Sequence, residues 1–152
     1  MLNIIGIGGQ VMNPVHSRVL RAFQLTYDFY KHLPESSLQR KIADVPSNTI
    51  GEQAYCIVGA RESYLQAMRN GAWAGFSCSL EEPEVKKAVL AKLEETKNNI
   101  HTFLQETIED PSTLNFTLDL LEHEIQHHGQ LIRFGYANTL SFPQTWHERY
   151  TV

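Results

Sequence analysis

An all-α fold, with four long helices packed as a bundle, is what this sequence predicts, and three observations carry it. Apolar residues recur at three- and four-residue steps through most of 13–138. Helix start and stop signals bracket four such stretches. Nothing alternates with a period of two over a useful length, so no strand pattern competes. A chain of 152 residues, 42% hydrophobic and 20% charged, makes one ordinary domain with a feasible packed core.

The first helix starts at Asn13-Pro14, a capping residue followed by Pro in the first turn, and runs to about Leu33, where Pro34 ends it. Its apolar stripe is Val15, Val19, Ala22, Leu25 and Phe29. The connector "PESSLQRKIADVPSNT" follows, with a short helical turn expected over 36–41; its length suits a long crossover. The second helix opens on a capping box, Thr49 to Glu52, and closes near Asn70-Gly71. A third is expected from a box-like start at Ser79 and Glu82, with Pro83 in its first turn, to Asp110-Pro111. The fourth runs from Ser112 or Thr113 to about Asn138. The chain thus divides into a leader (1–12), a helical domain (13–143) and a C-terminal tail (144–152).

Charge and cysteine usage narrow the function classes. The formal net charge is -4, and the 13 Lys and Arg residues are scattered, without the clustered basic face that phosphate neutralisation needs, so a nucleic-acid partner is not expected. No apolar run approaches the length of a membrane span. Cys56 and Cys78 are too few for a disulfide framework, and the leader lacks a secretory pattern, so the expected location is cytoplasmic with reduced thiols. The leader's "GIGGQV" has Val11 where a dinucleotide fingerprint needs its third Gly.

The chemistry concentrates in "LLEHEIQHHGQLIRF", where His123 and His127 stand one helical turn apart. With His123 at zero on a helical wheel, His127 falls at about 40°, among Phe116, Leu120, Leu131 and Phe134, so both imidazoles are expected to face inward. Two neutral imidazoles so placed suit a divalent metal such as zinc or nickel; the plain alternative is a pair of packed, hydrogen-bonded histidines. His123-Glu124-Ile125-Gln126-His127 spells HExxH, yet a zincin protease is not expected. Gln130 and Arg133 occupy the positions where the extended zincin run needs Gly and His, and no sheet is available to hold a substrate. Upstream, Cys56 shares a helix face with Gln53, Ala60, Ser63, Tyr64 and Ala67, and its thiolate is a candidate third ligand. A small buried hydrophobe is the competing role for that thiol.

"TIGEQAYCIVGARESYL" and "LLEHEIQHHGQLIRFGYANTLSFP" together resemble the DinB-like family of four-helix proteins, over about 13–143. That resemblance implies a bundle of DinB-like type with a long crossover connection. It implies two late ligands, His123 and His127, and an early one at position 56, where the family's pattern has His and this chain has Cys56. It also implies a cofactor set of one divalent metal and a low-molecular-weight thiol such as bacillithiol, in a metal-dependent transferase or hydrolase acting on a small molecule. Gln130 and Tyr64 are the candidate cofactor-binding residues, Gln130 and Asp119 the candidates for orienting the imidazoles, and a homodimer the expected assembly; aromatics of "GAWAGFSC" and "FPQTW" either close a homodimer interface or cover a bundle end. The alternative is a non-catalytic helical bundle that binds a small ligand or partner and has lost its metal.

Overall fold

The computed structural model describes residues 13–152, so the expected leader lies outside the described residues. The described residues are all-α, with four long helices and a short fifth. Helix α1, Pro14–His32, is capped by Asn13, whose side chain accepts the Val15 N–H at 2.8 Å. Its far end stops at Leu33, since the residue before Pro34 is pushed out of the helical region. Lys86 closes that end from another helix, donating its ammonium to the carbonyls of Lys31 and Leu33, each at 2.6 Å. These carbonyls have no partner within the helix, and a cation there also meets the negative end of its dipole.

After a 3-10 turn, Glu35–Gln39, helix α2 spans Ile50–Asn70. Both bonds of the expected capping box form: Glu52 N–H donates to Thr49 Oγ1 at 3.0 Å, and Thr49 N–H donates to the Glu52 carboxylate at 2.6 Å. Gly71 ends the helix at φ 72, a left-handed position that a side chain would strain. Helix α3, Lys86–Glu106, begins later than its sequence signal. Ser79 caps no helix; its N–H donates to Glu62 at 2.8 Å, and its hydroxyl bonds the same carboxylate. Helix α4, Pro111–Ala137, starts from Asp110, which accepts the Thr113 N–H at 2.7 Å.

The expected tail is partly helical: α5 covers Gln144–Tyr150 and buries Trp146 completely. The Trp146 ring packs 4.9 Å from Phe29, and its Nε1–H donates to the Leu25 carbonyl at 2.7 Å. Phe142 is buried beside it, so the aromatics of "FPQTW" belong to this chain's own core, not to a dimer interface.

Helices α1 and α2 each pack on both α3 and α4, which sets α1 across from α2 and α3 across from α4. Direction follows from cross-contacts. Tyr30, near the end of α1, donates to the Ile50 carbonyl at the start of α2, and Asn13 and Glu109 meet where α1 and α4 begin. The segment 71–85 runs back along α2, with Ser77 on Ser63, Cys78 on the Tyr55 carbonyl, and Pro83 against Gly51. Helices α2 and α3 are therefore parallel, and the order is up, down, down, up. The crossover expected before α2 lies after it. The connector 33–49 merely turns the chain at one end, whereas 71–85 travels the length of α2.

Two apolar layers fill the interior. One centres on Phe29, Tyr30, Ile57, Leu131 and Trp146, the other on Val19, Phe23, Ile100 and Leu120. Between them lies a polar layer of Thr26, Arg61, Thr96, Glu124 and His128, all buried. Among the described residues no helix is long and apolar enough to cross a membrane.

Candidate functional site

His123 and His127 do come together, their ring centroids 4.6 Å apart on the side of α4 that faces α2. Their burial is unequal. His127 is 8% exposed, while His123 sits half-buried at the edge of the face. The buried arc of α4 runs through Thr117, Leu120, Glu124, His127, His128 and Leu131, so its centre lies about 85° round the helix from His123. The structure turns Glu124 and His128 into the core.

Gln53 of α2 reaches His127, its Oε1 accepting the Nδ1–H at 2.5 Å. That bond fixes the neutral tautomer and leaves Nε2 with its lone pair. Among the described residues, the buried His123 Nδ1 has no hydrogen-bond partner. Burial lowers the pKa of His123 against the opposing pull of Glu124. Burial, and then the charge His123 would carry, bring His127 down to about 4. Both rings are neutral at neutral pH, the form in which imidazole ligates a metal.

Gln130 and Asp119, expected to orient the rings, are both exposed on α4, and the orienting group is Gln53. Tyr64 packs with Trp73 at 5.1 Å and Phe116 at 6.4 Å, in an aromatic cluster towards the other end of α2. Cys56 is half-buried and free of disulfide. Burial and the Glu52 carboxylate push its thiol up, away from the thiolate form. Among the described residues no three His, Cys, Asp or Glu side chains gather as a metal ion would require, so the expected trio is not assembled in this arrangement. The donors present fit a borderline divalent ion at the pair of imidazoles; Cys56 would have to lose a proton to join them.

Behind the histidine pair runs a chain of hydrogen bonds that the sequence reading missed. Tyr150 O–H donates to His128 Nδ1 at 2.5 Å, His128 Nε2–H to Thr26 Oγ1 at 2.7 Å, and Thr26 O–H to Glu124 at 2.5 Å. Arg61 grips the same carboxylate with two bonds, at 2.5 and 3.2 Å, and donates to the Leu93 carbonyl at 3.0 Å. Its guanidinium lies 4.0 Å from the centre of the Phe23 ring. Burial would raise Glu124, but the charge and hydrogen bonds of Arg61 outweigh it and hold the carboxyl below its ordinary value. Burial also brings His128 down to about 4, the neutral form this wiring requires. One arginine thereby ties α2 to α1, α3 and α4, and fixes the rotation of α4 that presents His123 and His127. The available signal was position: Arg61 stands in an otherwise small and apolar run, and Glu124 and His128 fall on the arc of Leu120 and Leu131.

No protein-family model matches the sequence, and no curated protein matches it.

Proposed function

We propose that this chain is a DinB-like four-helix bundle that binds one divalent metal, zinc or nickel, through His123 and His127, with Cys56 as third ligand. The observation that carries the reading is the imidazole pair: two adjacent neutral rings, one oriented by Gln53 and the other with a buried nitrogen lacking a partner. Cys56 lies along α2 between Gln53, which meets His127, and Arg61, which meets Glu124, so it stands level with the pair. A dication would reverse what burial and Glu52 do to the thiol, drawing off its proton. A metal in this position supplies Lewis acidity that lowers the pKa of a bound low-molecular-weight thiol or water, the chemistry of a transferase or hydrolase acting on a small electrophile. A homodimer, with Trp73 and Phe76 exposed on the segment 71–85, belongs to the same proposal.

Titration of untagged, chelator-stripped protein with zinc tests the metal reading. One equivalent bound, with a proton released at neutral pH and affinity lost in H127A, is the expected result. No binding of zinc or nickel overturns it. The second reading, a non-catalytic bundle that binds a small ligand or partner, draws on the unassembled trio and predicts that null result.

A further inference from the structure

A groove on the opposite flank of α4, between α1 and α5, holds three arginines that the metal reading does not use. Two contiguous cavities form it, of about 310 Å³ and 120 Å³, sharing Arg21, Leu25 and Arg149 as walls; Arg18 lines the smaller. The larger is of the size that small-molecule sites occupy. The groove floor is apolar: Leu25, shared by both cavities, and Ala22, in the smaller, are almost fully buried, and Leu121 and Ile125 continue the smaller one's surface on α4.

The lining has a cationic excess, three arginines against two carboxylates. None of Arg18, Arg21 and Arg149 has an ion-pair partner among the described residues, in a chain whose formal net charge is -4. Two acids, Asp28 and Glu148, line the larger cavity, their oxygens engaged by neutral donors and by no arginine. Asp28 accepts from Gln24 at 2.9 Å and from Thr145 at 3.0 Å, and Glu148 accepts from Gln144 at 3.3 Å. Arg149 is held over the Tyr150 ring, 5.2 Å from its centre, so part of the ordering cost of its side chain is already met. Three guanidiniums, in excess over the two carboxylates and beside an apolar floor, match a ligand with an anionic head and an apolar body, because a planar fork pairs with carboxylate or phosphate oxygens through two bonds.

We infer that this groove binds a small amphipathic organic anion, its carboxylate or phosphate head held by Arg18, Arg21 and Arg149 and its apolar body laid on Leu25 and Ile125. The site stands apart from His123 and His127 and does not depend on a metal.

Isothermal titration of the full chain in EDTA, with hexyl phosphate, hexanoate, hexan-1-ol and inorganic phosphate as separate probes, tests it. Hexyl phosphate or hexanoate should bind measurably and more tightly than either the alcohol or the bare phosphate. The double variant R21Q/R149Q should weaken that binding by roughly tenfold or more, the loss expected for a charge-assisted bond. R18Q, a lighter change, should weaken it in the same direction while circular dichroism stays that of the parent. The inference is overturned by hexan-1-ol or inorganic phosphate binding as tightly as hexyl phosphate, or by unchanged affinity in folded R21Q/R149Q. It is equally overturned by no binding of any of the four probes.

Discussion

Removing the Glu124 carboxylate should cost this protein more than any other single change to its polar layer. In Glu124→Ala the Arg61 guanidinium stays fully buried, left with the Leu93 carbonyl, the Thr96 hydroxyl and the face of Phe23. Deleting one partner of a buried pair typically costs about 3–5 kcal/mol, because the surviving charge is neither paired nor hydrated. Against a total stability of about 5–15 kcal/mol that is a large share, and at about 2–4 °C per kcal/mol the midpoint should fall by roughly 6–20 °C. The double variant R61M/E124L removes both charges at similar volume, and Thr26 keeps the Ala22 carbonyl as an acceptor. It should be far less damaging than E124A, within about 1–2 kcal/mol of the parent. Urea unfolding of the parent, the singles R61M and E124L and the double R61M/E124L forms a cycle that isolates the coupling. An E124A loss below about 1 kcal/mol, or a double variant losing as much as the two singles added, would refute the reasoning.

Acid should destabilise the fold. His127 and His128 titrate near 4 when folded against 6.5 when unfolded, so the unfolded chain binds more protons between these values and stability falls as pH drops from about 6.5 to about 4. Glu124, with its lowered pKa, adds a loss of the same sign as pH falls through that lower value. Urea midpoints taken from pH 7 down to 4.5 should show this slope, reduced by up to about 1.4 kcal/mol per pH unit in H128Q; an unchanged slope would place His128 outside the buried layer. Cys56→His should raise zinc affinity by roughly tenfold or more, since imidazole ligates without losing a proton at neutral pH, and chelator competition reads this directly. Gly51→Ala should destabilise by about 1–3 kcal/mol, because its new methyl meets the Pro83 carbonyl backbone; a neutral result in thermal melts would mean that segment 71–85 shifts freely. Trp146→Ala should cost about 3–5 kcal/mol in the same assay, as expected for a fully buried aromatic.

Local signals carried the helices well where capping is local. Asn13-Pro14 and the Thr49/Glu52 box start their helices, and Gly71 ends one, because each acts through residues a turn or less away. The same kind of signal failed at Ser79, whose hydrogen-bonding groups found Glu62 on α2 before they could cap α3. It also missed α5, a short helix that exists because Trp146 has a cavity beside Phe29 and Leu25 to fill. At the candidate site the His123 and His127 pair was legible from spacing, while Gln53, Glu124 and His128 were not, since their roles depend on partners 74, 63 and 102 positions away.

The sequence by itself determined that the chain is helical, where most of its helices begin and end, and that two imidazoles share a turn of the last long one. Those properties rest on periodicity and on hydrogen bonds between near neighbours. Only the tertiary structure decided how far α4 is rotated and which polar residues it buries. It also decided that the chain crosses after α2, not before it, and that three arginines converge beside α5. A charge is buried or left exposed according to what the other helices bring within reach, and no local pattern contains that information.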